Sequence, residues 1–163
     1  MVQVYLSIGS NIDRESNLRS GLTALAELFD DLTLSSLFES EAVGFDGSPF
    51  YNMVVGFQTT QNIEQLSKTL REIEFKFGRE LNAKKFSPRT LDLDILLYGD
   101  LIQTEPVQLP RDEITFNAFV LWPLAEIAPQ QVHPVLKKTY QSLWQSYDKE
   151  TQHLQIIPFN WQG

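Results

Sequence analysis

The feature that most constrains this chain is a hydrophobic period that switches between two and about 3.6 residues in a fixed order. Val2 to Ile8 alternates like a strand, and Gly9-Ser10-Asn11 breaks it. Leu18, Leu22, Leu25 and Leu28 then recur at helical spacing, with Asp13 or Ser16 to cap the start and Asp30-Asp31 at the end. Leu32 to Ser40 reads as a second strand. Residues 41–49 hold Gly44, Gly47 and Pro49 and read as a loop, and Phe50 to Thr59 is a third strand. Asn62 and Gln65 stand three apart as a capping box ahead of a helix carrying Ile63, Leu66, Leu70, Ile73 and Phe77. Glu64–Lys68 and Glu72–Lys76 support that helix, and Gly78 is its natural stop. Leu91 to Tyr98 is a fourth strand closed by Gly99-Asp100.

The order is therefore βαββαβ, which predicts an α+β fold with a ferredoxin-like core. The last third predicts a short strand near 106–109, helices around 117–127 and 136–147, and a final strand at 153–157. These C-terminal helices and strands extend the core into a three-layer α-β-α sandwich. A mixed sheet with helices on its faces is the economical architecture. Its 163 residues suffice for one domain, 1–163, with a real core.

Composition narrows the function. A net charge of −8 argues against nucleic acid as a partner, because phosphate-backbone binding favours a basic excess. There is no cysteine, so disulfides and thiolate metal sites are excluded and a cytoplasmic location is expected. The start has no basic, apolar leader pattern, and no apolar run reaches the ~18 residues that a membrane span needs. A monomer acting on small molecules is expected.

The sharpest chemical feature is Asp92-Leu93-Asp94 inside an apolar strand. Residues two apart in a strand share a face, so the two carboxylates project side by side, away from Leu91, Leu93 and Ile95. Adjacent, partly desolvated carboxylates are costly, and a divalent cation resolves that cost. Solvent-facing aspartates at a strand end, or aspartates paired with nearby arginines, are the simpler alternative. Just upstream, Arg79, Lys84, Lys85 and Arg89 face only Glu80 and form a positive stretch in an acidic chain. Cations beside a metal pair suit a polyphosphate, whose transfer depends mainly on positioning and charge stabilisation. No Walker loop, dinucleotide glycine fingerprint or Ser-His-Asp set is present. Phe50 and Asn52 share a face of the third strand, Phe86 lies in the basic stretch and Phe119 opens a late helix. Such rings with one amide suit a flat heterocycle, although each ring alone also suits a core. Tyr5, Trp122 and Trp144 are assigned to packing, and His133-Pro134 to a structural turn.

The run Ser87-Pro88-Arg89-Thr90-Leu91-Asp92-Leu93-Asp94-Ile95-Leu96-Leu97 resembles the signature of the 6-hydroxymethyl-7,8-dihydropterin pyrophosphokinase family of folate synthesis. Ile8-Gly9-Ser10-Asn11, Phe50-Tyr51-Asn52, Ile73-Glu74, Gly78-Arg79, Phe119-Val120-Leu121-Trp122-Pro123-Leu124, Ile127-Ala128-Pro129 and His133-Pro134 extend the resemblance through nearly the whole chain. The resemblance implies transfer of pyrophosphate from Mg·ATP to the pterin hydroxymethyl group, with release of AMP. It implies that Asp92 and Asp94 hold two Mg²⁺ ions and that Ser40, Val43, Phe50, Asn52, Phe86 and Phe119 form the pterin site. ATP would be met by Glu74, Arg79, Lys85, Arg89, Ile95 and Arg111, with Arg79 and Arg89 catalytic and Arg89 on a closing loop.

The sequence also departs from the family pattern. Leu81 and Asn117 stand where the family has arginines, and Pro106 where some members do. Ser87 replaces a glycine, Phe86 a tryptophan and Arg111 a histidine, and Asp112 follows. The pterin pocket and metal pair are intact, while phosphate-binding cations are thinned, with Arg111, Lys84 and Lys85 as partial compensation. A pterin-binding relative with weakened catalysis is the alternative expectation.

Overall fold

In the computed structural model the described residues are 1–40, 49–77, 91–150 and 152–161. Their elements are β1 (Val2–Ser10), α1 (Arg14–Leu28), β2 (Thr33–Leu34), β3 (Leu37–Ser40), β4 (Phe50–Thr59), α2 (Ile63–Lys76), β5 (Asp92–Tyr98), a 3₁₀ turn (Asp112–Thr115), α3 (Ala118–Ile127), α4 (Tyr140–Ser146) and β6 (Gln155–Ile157). The sheet runs β5-β1-β4-β3-β6, with β2 also on β4. Among the described residues every strand pairing is antiparallel, so the expected mixed sheet is corrected to an antiparallel one. Placing β5 beside β1 and β4 between β1 and β3 is the interleaving that a βαββαβ chain produces.

Side-chain alternation divides the sheet into two faces. Val4, Leu6, Ile8, Met53, Val55, Phe57, Leu93 and Ile95 point one way, onto Leu18, Leu22 and Leu25 of α1 and Leu66, Leu70 and Ile73 of α2. Tyr5, Val54, Leu96 and Leu97 point the other way, onto Val120, Leu121 and Leu124 of α3 and Tyr140 of α4. A register shift at Tyr5/Leu6 opposite β5 lets both Leu96 and Leu97 serve this second face. Helices on both faces complete the expected three layers.

The capping box at α2 is present: Asn62 Oδ1 accepts from the Gln65 amide at 2.8 Å, and Gln65 Oε1 accepts from the Asn62 amide at 2.9 Å. Other boundaries moved. β1 continues through Gly9 and Ser10, because these residues still pair with Asn52 and Tyr51. Asp13 precedes α1 in the left-handed region at φ 44° and makes no side-chain cap. Leu28 is 54% exposed and so leaves the expected stripe. The second strand is split in two by a kink at Ser35-Ser36, where Glu126 of α3 accepts from both the Ser36 amide and its hydroxyl. The strand expected near 106–109 reduces to one bridge, Gln103↔Leu109. The last helix starts at Tyr140, since Lys137 adopts φ 59° and Thr139 Oγ1 caps the Ser142 amide.

Candidate active site

The site lies at the end of the α3-side face where hydrophobic packing gives way to polar side chains. Gly9 of β1 is paired with Asn52 of β4 on one side and with Asp92 of β5 on the other. Ser7, two residues earlier, is paired with Asp94. Asn52, Gly9 and Asp92 thus sit abreast on three adjacent strands, which spans roughly 10 Å at normal strand spacing. Gly9, itself buried, is the floor of that span. A Cβ there would stand 3.1 Å from Asn52 Oδ1 and 3.9 Å from the Phe50 ring.

Asn52 is 5% exposed, and its Nδ2 donates to Ser40 Oγ at 2.7 Å. That bond orients the amide, turning the carbonyl oxygen toward Gly9. Phe50 is half-buried beside it, and Phe119, in the first turn of α3, is half-buried against the same face. Ser40, Phe50 and Asn52 therefore share one region, and Phe119 packs on the hydrophobic cluster of the same face. The packing residues also stand as expected: Trp122 meets Phe38 at 4.8 Å and stacks on Trp144 at 5.2 Å. His133 Nδ1 accepts from the Val135 and Leu136 amides, which makes it a turn residue.

On the other side of Gly9, Asp92 and Asp94 share the predicted face while Leu93 and Ile95 are buried beneath. Burial, with the Asp92 charge adding to it, pushes the Asp94 carboxyl up to about 7. Arg111 opposes that shift: its Nη2 lies 3.8 Å from Asp94 Oδ2. The guanidinium is itself held by Glu113 Oε1, which accepts from Nε at 2.8 Å and lies 2.8 Å from Nη2. Burial lowers the Arg111 pKa, but the carboxylates of Asp94 and Glu113 outweigh it and the net direction is upward. The Arg111 amide also donates to the Leu96 carbonyl at 3.0 Å, fixing this segment to β5.

Two residues assigned to ATP occupy other surroundings. Glu74 is buried, and its Oε2 accepts from the Leu93 amide at 2.8 Å, tying α2 to β5. Ile95 puts its side chain into the α1/α2 core, opposite to Asp94, so only its backbone is open to a ligand on the carboxylate side. Val43, Arg79, Lys84, Lys85, Phe86 and Arg89 lie outside the described residues. Sequence reasoning missed Gly9 as the floor, although a glycine inside a strand signals close approach of a neighbour or ligand. It also missed Glu113, for which the sequence offers no periodic signal.

The fit to a divalent cation rests on Asp94. A carboxyl raised this far by burial and a like neighbour has a strong electrostatic reason to bind positive charge. Among the described residues no group of three or more His, Cys, Asp or Glu side chains is placed to hold a metal ion. Two carboxylates plus ligand phosphates are nonetheless a normal Mg²⁺ set.

A carboxylate pair with a guanidinium against it, one glycine away from an oriented amide, is an arrangement suited to a polyphosphate donor and a flat acceptor. Comparison with known proteins specifies the class. Residues 5–129 match the 7,8-dihydro-6-hydroxymethylpterin-pyrophosphokinase (HPPK) family, and the chain belongs to that family. It is 34% identical over 141 residues to the 2-amino-4-hydroxy-6-hydroxymethyldihydropteridine pyrophosphokinase of Aquifex aeolicus, covering 85% of this chain and 88% of that protein. It is 38% identical over 131 residues to the Bacillus subtilis protein of the same name, covering 77% of this chain and 78% of that one. It is also 38% identical over 138 residues to a folate synthesis bifunctional protein of Chlamydia caviae, covering 79% of this chain but only 31% of that protein. Among solved structures, Plasmodium falciparum HPPK-DHPS superposes with a TM-score of 0.71 at 15% identity, covering 92% of this chain and 44% of that one. The chain thus spans less than half of the Chlamydia and Plasmodium proteins and most of the Aquifex and Bacillus ones.

Proposed function

We propose that the chain is an ATP-dependent pyrophosphokinase that transfers pyrophosphate from Mg·ATP to the 6-hydroxymethyl group of 6-hydroxymethyl-7,8-dihydropterin. The observation that carries this reading is the row Asn52-Gly9-Asp92. It sets a heterocycle-reading amide and a metal-suited carboxylate pair about 10 Å apart on one face, near the reach of a pterin with its hydroxymethyl arm. The pterin edge bonds the Asn52 amide, which Ser40 holds in orientation, and the ring lies over Gly9 between Phe50 and Phe119. Phe86 and backbone near Val43 complete this pocket.

The hydroxymethyl oxygen attacks the β-phosphorus, the α–β bridging P–O bond breaks, AMP leaves with the bridging oxygen, and the hydroxyl proton is lost to solvent. Two Mg²⁺ ions held by Asp92 and Asp94 would neutralise the triphosphate and acidify the attacking hydroxyl. Arg111 presents positive charge beside Asp94. Arg79, Lys85 and Arg89 supply further charge, with Arg79 and Arg89 catalytic, while Glu74 positions β5 from behind. The weakened, pterin-binding alternative is not favoured, because relatives matched over most of their length are named pyrophosphokinases, and Arg111 keeps a cation 3.8 Å from Asp94.

The reading covers residues 1–163 as one domain, with monomeric, cytoplasmic action. Among the described residues no helix is long and apolar enough to cross a membrane. AMP release from ATP, with the pterin and Mg²⁺ present, tests the assignment. Pterin-dependent AMP is expected. Folded protein that binds the pterin yet forms no AMP would overturn it.

A further inference from the structure

Beyond the carboxylate pair, a chain of polar contacts runs from Asp94 to the C-terminal segment. Asp94 meets Arg111, and Arg111 is gripped by Glu113 Oε1 through Nε and Nη2. The other oxygen, Glu113 Oε2, accepts from Asn117 Nδ2 at 2.7 Å. Asn117 Oδ1 in turn accepts from Gln152 Nε2 at 3.0 Å, and Gln152 Oε1 accepts from the Ala118 amide at 2.7 Å. Asn117 stands at the N-cap of α3 but makes no side-chain cap, and Gln152 supplies that acceptor from 34 residues away. Both oxygens of Glu113 and both polar atoms of the Asn117 amide are therefore used in fixing one guanidinium. Among the described residues Arg111 Nη1 has no partner, and it is the nitrogen left to a ligand oxygen.

We propose that Glu113 is a positioning residue for the phosphate-binding Arg111, anchored by Asn117 and Gln152, and that this tether takes the place of a cation at position 117. The inference rests on the function proposed above. An arginine on a flexible stem loses rotamer entropy when it binds a phosphate, and prior fixation by a carboxylate lowers that cost. By charge alone the arrangement is self-defeating, since Glu113 brings a negative group toward a polyanion site. That conflict gives the test its sign.

Through-space repulsion predicts that removing the Glu113 charge tightens ATP binding. Positioning predicts that it weakens it. Steady-state kinetics on Glu113→Ala and Glu113→Gln, with both substrates varied, separate the two. The expected result is a rise in the ATP KM on the order of tenfold in Glu113→Ala, the size of one lost charge-assisted contact. The pterin KM should change little, because Asn52 and Ser40 lie across Gly9 from the tether. Glu113→Gln, which keeps an acceptor oxygen, should recover part of the loss. In an Arg111→Ala background, Glu113→Ala should add nothing further.

An unchanged or lower ATP KM in both Glu113 variants would overturn the proposal, as would equal losses for both substrates alongside a fall in Tm. Calorimetric binding of Mg²⁺ with the α,β-methylene analogue of ATP repeats the comparison without turnover. Wild-type turnover with indifferent Glu113 variants would sink only this inference. A wild type that neither turns over nor binds the nucleotide would sink the proposed function, and the tether with it.

Discussion

The two faces of one sheet are built from the same strands, and they are spent differently. On the α1/α2 face, β1, β4 and β5 contribute aliphatic and aromatic side chains along their whole length, and Phe29 stacks on Phe57 at 4.2 Å. On the α3/α4 face the same strands are hydrophobic toward one edge of the layer, at Tyr5, Val54 and Leu97, and polar toward the other, at Gly9, Asn52, Asp92 and Asp94. The first face stabilises the fold. The second carries two carboxylates side by side, an arrangement that costs folding energy and suits the binding of positive charge, part of which Arg111 already supplies beside Asp94. Substitutions on the first face should therefore cost stability and spare the chemistry, while those at the polar end of the second should do the reverse.

The strongest break of this contrast is Asp94→Ala. The carboxylate–metal contact is worth several kcal/mol in transition-state charge stabilisation, so kcat should fall roughly 10³-fold. Tm in metal-free protein should hold or rise. The Asp94 pKa is raised in the fold, so its stabilising contribution is present below its unfolded value and is lost as pH rises through about 7. At pH 8, removing this carboxylate removes an unfavourable ionisation. A clear fall in metal-free Tm would show that the pair is structural and that the two faces are not distinct.

The matching substitution on the other face is Leu22→Ala. Leu22 is fully buried under the sheet, so the loss of transfer energy plus the cavity should cost about 3 kcal/mol, read by urea unfolding. Both KM values should stay within twofold in protein that remains folded. A selective change in one KM would mean that the core face transmits strain to the site.

Gly9→Ala probes the seam itself. Gly9 lies between the amide and the carboxylates, and an added Cβ would sit 3.1 Å from Asn52 Oδ1. That approach is tight enough to displace the amide or obstruct a ring above it. We expect the pterin KM to rise on the order of tenfold, about 1.4 kcal/mol, with a smaller change for ATP. An ATP effect larger than the pterin effect would shift the pterin site away from this glycine.

What the sequence made legible follows from the range of the forces involved. The Asn62–Gln65 box and both ends of β4 were readable because capping and alternation act within a few residues. The shared face of Asp92 and Asp94 was readable for the same reason. The kink between β2 and β3 was not, because its cause is Glu126, 90 residues away on α3. The grip on Arg111 was equally hidden. Glu113 is two positions away in sequence, but only the 3₁₀ turn and the Gln152 contact to Asn117 bring the groups together. The start of the last helix was misplaced because Val132 bridges to Thr139, so 132–139 closes as a turn that looks helical in its apolar spacing.

That turn supplies the smallest test. His133 is buried in it, Nδ1 accepts from the Val135 and Leu136 amides, and burial lowers its pKa from 6.5. The sign is opposite to that of Asp94. A histidine with a depressed folded pKa stabilises the fold above its unfolded value, and the contribution is lost as pH falls through the lower, folded value. Protonation also ends the two acceptor bonds, since imidazolium has no lone pair at Nδ1. Tm of the wild type should therefore decline as pH falls below about 6.5, and His133→Asn should flatten that part of the profile. His133 packs on Tyr140, which belongs to the hydrophobic cluster with Tyr5, Leu96 and Leu97, so the substitution should leave both KM values unchanged. A shift in the pH dependence of kcat in this variant would instead couple the turn to the site and blur the separation between the stabilising and reactive parts of the sheet.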